Sequence, residues 1–243
     1  MRTTTAILGF ALTASAAWAD GHSDVRHVLV FGDSLTWGWN PTDPIVPTTR
    51  HAPEDRWTHH LGEALGEGYE IVVEGLSART TNMEDPNHPG LMNGAEYLDS
   101  AITSHDPLDL VIIMLGTNDT KTHLDRSPFE IGLGMGELVN IVQEGPGTGF
   151  TEWSAPEVLV VSPPPLGLEI APGAAEAFAD SQAKLDELPR IYGLIADAAG
   201  AHVFDAATVV DADGVGVDGI HLLAETNAAL GEAVAERVRE IME

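Results

Sequence analysis

Three polar segments of the chain combine residue types that could carry out nucleophilic chemistry. Ser34 follows an apolar run and a glycine, so its hydroxyl could lie at a helix start, where free backbone N–H groups stabilise developing negative charge. Asp218 and His221 are three residues apart, a spacing that lets a carboxylate orient an imidazole within one turn. A histidine held in this way can take the proton of a serine hydroxyl. Asn118 ends the strongest apolar run, and its side-chain amide could donate to an oxyanion.

Each of these segments also has a purely structural interpretation. Asp33 or Ser34 could simply cap a helix, and Asn118 could form an Asx turn. Asp218 and His221 could likewise belong to an ordinary turn. Their combination and their order along the chain favour catalysis. The chain contains no Gly-x-Ser-x-Gly motif, so the nucleophile elbow of the α/β-hydrolases is excluded.

Alternating strand and helix patterns indicate the elements that position these residues. Short apolar runs, several of them β-branched, predict strands at residues 27–31, 69–73, 110–115, 158–161 and 201–204. Helical patterns occupy residues 56–65, 127–144, 174–199 and 226–242, with Ser127 as an N-cap and a break in the third at Pro189. We therefore predict an α/β fold of three α/β/α layers, with a flavodoxin-like doubly wound sheet of about five parallel strands. Ligands bind at the carboxyl ends of such strands, where the candidate residues fall.

The composition is unusual in its large negative net charge. There are 38 acidic residues against 11 lysines and arginines, a formal net charge of -27, which excludes nucleic acid and anionic membranes as favoured partners. The acidic residues are scattered, which is typical of a solvated surface or of adaptation to a salty medium. The absence of cysteine excludes a thiolate nucleophile. His51, His59 and His60 lack the spacing of metal ligands, so no metal is expected.

The N-terminus has the pattern of a secretory signal peptide. Arg2 precedes an apolar stretch, and Ala17-Trp18-Ala19 forms a cleavage site before Asp20. The stretch is too short to span a bilayer, so no stable membrane insertion is expected. We predict a signal peptide at residues 1–19, a flexible leader at residues 20–25, and one domain at residues 26–243. The protein would then be exported and be periplasmic or secreted.

The candidate segments together resemble the SGNH (GDSL) hydrolase family, most closely its mycobacterial arylesterase/acyltransferase branch. The resemblance covers essentially the whole chain after the signal peptide. It is carried by residues 31–39, 74–82, 108–121, 160–165 and 217–221.

The resemblance implies the role of each site residue. Ser34 would be the nucleophile, His221 the base and Asp218 its orienting acid. The oxyanion hole would consist of the Ser34 and Ala78 N–H groups and the Asn118 side chain, and the substrate would be bordered by Leu35, Trp39 and Ser77.

The resemblance further implies a serine esterase that acts on short-chain aryl or alkyl esters. Such an enzyme could also pass the acyl group to alcohols or peroxide, needs no cofactor, and would have a small-molecule ester as its partner. Relatives of this branch are oligomers, so a homo-oligomer is expected. The alternatives are a carbohydrate O-deacetylase or a thioesterase on the same triad and, less favoured, a non-catalytic binding protein.

Overall fold

A computed structural model of the chain describes residues 25–42, 46–88, 90–145 and 153–243. The predicted signal peptide and all but the last residue of the predicted leader lie outside the described residues. Among the described residues, no helix combines the length and apolar character that crossing a membrane requires.

The elements alternate along the chain as predicted. The strands are β1 (Arg26–Gly32), β2 (Trp39–Asn40), β3 (Thr49–Arg50), β4 (Tyr69–Gly75), β5 (Leu110–Met114), β6 (Glu157–Ser162) and β7 (His202–Asp205). The helices are α1 (Ser34–Trp37), α2 (Trp57–Leu65), α3 (Gly94–His105), α4 (Pro128–Glu144), α5 (Ser181–Leu185), α6 (Leu188–Ala199) and α7 (Ala224–Met242). Five strands form one parallel sheet in the order β4-β1-β5-β6-β7, and β2 pairs antiparallel with β3.

Strand β5 illustrates how the sheet is buried on both faces. All five of its residues are buried. Val111 and Ile113 belong to the core formed with α3, α4 and α6, whereas Leu110, Ile112 and Met114 belong to the core formed with α2 and α7. Each such side chain contributes about 1.5–3 kcal/mol when fully buried. The predicted three-layer α/β/α fold is therefore confirmed.

The strand order changes side at β1, and this switch point brings the candidate segments together. The chain passes from β1 to β4 on one side and then returns to β5 on the other. Gly32 is in register with both Gly75 and Met114, so β1, β4 and β5 end at the same level. A Cβ on Gly75 would lie 2.4 Å from the Trp37 backbone nitrogen, so this glycine lets α1 rest on the strand ends. The segments that follow the three strands consequently meet at one edge.

The helices differ from the prediction in two places. Helix α4 begins with the predicted capping box, in which Ser127 and Glu130 accept from each other's backbone N–H groups. The helical stretch predicted for residues 174–199, with a break at Pro189, is wrong at its start: residues 172–180 form successive turns, and only α5 and α6 are helical. Pro189 lies in the first turn of α6, where a missing N–H is harmless. Helix α3 was not predicted.

Candidate active site

Ser34, His221 and Asp218 form a continuous series of hydrogen bonds. Ser34 is the first residue of α1, directly after β1, and its Oγ lies 2.7 Å from His221 Nε2. His221 Nδ1 lies 2.6 Å from Asp218 Oδ2. The other oxygen of Asp218 accepts from the backbone N–H groups of Ile220 and His221, at 2.9 Å each. The Asp-x-x-His turn therefore holds both the carboxylate and the imidazole.

A glycine makes this turn possible. Gly219 has φ of 74°, in the left-handed region, and a Cβ there would lie 2.2 Å from the Glu169 carbonyl oxygen. Because no larger residue fits at Gly219, the turn keeps the Asp218 and His221 side chains at short range.

Asp218 is poised to remain ionised. Burial by itself would raise the pKa of Asp218, but hydrogen bonds from His221 and from two backbone N–H groups outweigh burial and lower the pKa. A carboxylate that accepts from Nδ1–H leaves Nε2 as the nitrogen that can receive the Ser34 proton.

Trp39 packs on the imidazole. Its ring lies over His221 with 4.8 Å between ring centroids and 13° between planes. This stacked arrangement restricts rotation of the His221 ring. Trp39 was predicted to border the substrate, and the structure also places its ring against His221.

The predicted oxyanion donors and the predicted nucleophile share one cavity. Ser34, Ala78 and Asn118 line the same cavity. Asn118 Nδ2 donates to the Arg79 carbonyl at 3.1 Å and lies 3.3 Å from Asp33 Oδ2, which fixes the orientation of its amide. Ala78 has φ of 71°, a conformation that usually selects glycine and that costs an alanine roughly 1 kcal/mol.

Comparison with known proteins identifies the family. A model of the GDSL-like lipase/acylhydrolase family matches residues 30–229. The chain belongs to this family. Solved structures similar to the chain include a carbohydrate acetylesterase from Sinorhizobium meliloti and the native aryl esterase of M. smegmatis. Each is 50% identical, covers 89% of this chain and 99% of its own, and superposes with a TM-score of 0.85. No curated protein matches the chain.

The GDSL-family site opens into a cavity of about 500 Å³. Ser77 and Trp39 line it, as predicted. Leu35 was also predicted to border the substrate, but its side chain is buried with Trp57 and Val30 in the core beneath α2 and α7 and is not among the described lining residues of this cavity. Ser34 lines the cavity, whereas Leu35, the next residue of α1, packs into the core. The sequence alone does not show how α1 is oriented between the two.

A buried ion pair beside this GDSL-family site was not predicted. Asp119, the residue after Asn118, accepts from the Thr81 N–H at 3.0 Å and from the Thr81 hydroxyl at 2.6 Å, and it pairs with Arg126. This network ties the segment that carries Ala78 to the segment that carries Asn118. Asp119 directly follows a candidate site residue, but its partner Thr81 is 38 positions away, and nothing in the sequence linked Asp119 to Arg126.

Among the described residues, no group of three or more His, Cys, Asp or Glu side chains is arranged to hold a metal ion. The available chemistry is that of a hydroxyl nucleophile, an imidazole base and neutral N–H donors.

Proposed function

We propose that the protein is a serine esterase that hydrolyses short-chain aryl or alkyl carboxylic esters through an acyl-enzyme on Ser34. The observation that carries the proposal is the series of short hydrogen bonds Ser34–His221–Asp218 at the wall of a largely apolar cavity. Membership in the GDSL-like lipase/acylhydrolase family supports ester hydrolysis as the reaction.

The reaction proceeds by acyl transfer in two steps. His221 removes the Ser34 proton as the hydroxyl oxygen attacks the ester carbonyl carbon, and the carbonyl oxygen becomes an oxyanion. The Ser34 N–H, the Ala78 N–H and the Asn118 amide stabilise this oxyanion. Collapse breaks the bond to the alcohol oxygen, which takes the proton from His221. Water then attacks the acyl-enzyme, with His221 again acting as base. Collapse of this second intermediate releases the carboxylic acid and restores the Ser34 hydroxyl.

Alcohol or peroxide can replace water in the second step. Ala174, Ala177, Phe178 and Ile220 give the cavity apolar walls that disfavour bulk water. We therefore include acyl transfer in the proposed activity.

A carbohydrate O-deacetylase is the second candidate. It is favoured by the similarity to a carbohydrate acetylesterase at 50% identity. A thioesterase would use the same three residues. Acetylated sugars and acyl thioesters, assayed beside aryl esters, separate these activities by kcat/KM.

A short-chain aryl ester assay tests the proposal. The mature protein is incubated with substrate and an added alcohol, and free acid is resolved from transfer ester, with Ser34→Ala alongside. We expect the wild type to turn over and Ser34→Ala to be inactive. If neither protein turns over aryl, sugar or thioester substrates, a non-catalytic binding protein becomes the better account.

We further propose export through the signal peptide at residues 1–19 to the periplasm or the medium, and assembly into a homo-oligomer. The mass of the exported protein is expected to correspond to a chain beginning at Asp20. Light scattering of that protein gives its oligomeric state, and a monomer would contradict the second proposal.

A further inference from the structure

One wall of the catalytic cavity is more polar than the rest. Most of the lining is apolar, but Lys121 and His88 also face the cavity. Lys121 is the one lysine or arginine among its described lining residues, and only 6% of its side chain is exposed. An ammonium group is costly to bury, so its contacts need an explanation.

A buried carboxylate holds Lys121 in place. Lys121 Nζ lies 3.0 Å from Asp85 Oδ2, and the Asp85 side chain is fully buried. The other oxygen of Asp85 accepts from the Asn87 N–H at 2.9 Å and lies 2.8 Å from His123 Nε2. Burial would raise the pKa of Asp85, but hydrogen bonds from Asn87, His123 and Lys121 outweigh it and lower the pKa to about 2. Asp85 is therefore ionised and neutralises Lys121.

Two of the three N–H groups of the Lys121 ammonium have hydrogen-bond partners among the described residues. The first donates to Asp85, and the second donates to His88 Nε2 at 3.1 Å, with His88 as a neutral acceptor. The third has no hydrogen-bond partner in the part of the chain that the structure describes. The Phe178 ring, 6.0 Å from Nζ, is the remaining contact. A buried donor without a partner favours a ligand that supplies an acceptor.

We propose that Lys121 is a specificity-determining residue that donates to a neutral oxygen of the substrate, a hydroxyl or ether oxygen a few bonds from the ester. This inference rests on the proposed esterase function and names its substrate class, esters of hydroxylated compounds. A neutral oxygen is favoured over a carboxylate because Asp85 already balances the Lys121 charge and because a chain with a net charge of -27 repels anions. The apolar walls accept the other limb of the ester.

Matched substrate pairs test this proposal. In 2-hydroxyethyl acetate a hydroxyl replaces the terminal methyl group of propyl acetate on the alcohol limb, and in methyl 3-hydroxypropanoate a hydroxyl replaces the terminal methyl group of methyl butanoate on the acyl limb. The measured quantity is kcat/KM for each hydroxylated ester divided by that for its alkyl partner. Lys121→Met removes the donor and keeps the length of the side chain.

The variants are chosen so that misfolding does not hide the result. Asp85→Asn combined with Lys121→Met removes both buried charges, so neither carboxylate nor ammonium is left unpaired. Lys184→Met is the matched control, because Lys184 donates to the Thr120 carbonyl and does not line the cavity. Circular dichroism verifies the fold of each variant.

We expect the ratio to fall about tenfold in both Lys121 variants for at least one pair, the size expected for one lost hydrogen bond, and to be unchanged in Lys184→Met. The pair that responds identifies the limb that carries the oxygen. Equal ratios in wild type and both variants overturn the inference. The inference is also overturned if, for both pairs, the wild type has a kcat/KM for the hydroxylated ester no higher than that for its alkyl partner. If the wild type hydrolyses none of the four esters, the proposed function fails instead.

Discussion

At the scale of single residues, Asn118 gives the most direct test of transition-state stabilisation. Its two N–H groups donate to the Arg79 carbonyl at 3.1 Å and to Asp33 Oδ2 at 3.3 Å, so the longer of these contacts must give way when the oxyanion forms. We expect Asn118→Ala to fold and to lose about 10²–10³ in kcat with little change in KM. Steady-state kinetics on an aryl ester measures this loss. A kcat within about twofold of wild type would remove Asn118 from the oxyanion hole.

Asp33 predicts a pH dependence of stability. Burial raises its pKa from 3.8 to about 7, although the Leu35 N–H acts against the shift. A raised carboxyl pKa means that the folded state binds the proton more tightly, so this contribution to stability is present below about pH 4 and is lost as the pH rises through about 7. Relative to wild type, Asp33→Asn should therefore gain roughly 3–4 kcal/mol in unfolding free energy between about pH 4 and pH 8.

Urea denaturation of both proteins across this pH range measures the difference. A gain that stays constant with pH would show that Asp33 is ionised throughout.

The hydrogen-bonded series Ser34–His221–Asp218 was predictable from sequence because these residue types and their order are unusual together. The Asp85–Lys121 pair was not, since the two residues are 36 positions apart and each alone has the appearance of a surface charge. The packing of Leu35 in the core was not predictable for a related reason. Adjacent residues of a one-turn helix can face a cavity and a core, and only the packing of α1 separates them.

At the scale of elements, the Asp119 network joins the segments that follow β4 and β5. Asp119→Ala would leave the Arg126 guanidinium buried without its carboxylate and would release the Thr81 N–H. We expect a loss of about 3–5 kcal/mol in unfolding free energy. Glu240→Ala is the control, because its pair with Arg237 is solvent-exposed and should be worth about 1 kcal/mol at most. Equal losses in the two variants would contradict the structural role of Asp119.

The strands were easier to predict than the helices. Parallel strands covered on both faces appear as continuous apolar runs, as in Leu110–Met114. Helix α3 was missed because only Leu98, Ala101 and Ile102 give it a buried apolar stripe, although Asn93 and Glu96 provide a start signal. The alanine-rich residues 174–180 favour a helix by propensity, but tertiary contacts fold them into turns, with Phe178 in the core and the Ala177 carbonyl accepting from Thr122.

At the scale of the whole molecule, the net charge of -27 should make stability depend on salt. Scattered acidic residues repel one another, and salt shortens the distance over which they do so, from about 30 Å at 0.01 M to about 3 Å at 1 M ionic strength. We expect Tm to rise as sodium chloride is added over this range. Calorimetry with potassium chloride as a second salt measures the rise and separates screening from specific ion binding.

The size of this salt effect distinguishes two interpretations of the acidic surface. A rise of a few degrees fits a solvated surface that favours solubility, whereas loss of folded structure at low salt fits adaptation to a salty medium. A Tm that falls or stays constant as salt is added would show that charge repulsion does not limit stability.

Covalent labelling shows whether Ser34 is a nucleophile activated by His221. The wild type and Ser34→Ala are treated with a fluorophosphonate, and intact mass followed by peptide mapping locates the adduct. We expect a single adduct on Ser34 in the wild type and none in Ser34→Ala. An unlabelled wild type, or an adduct that persists in Ser34→Ala, would contradict the proposed role of Ser34.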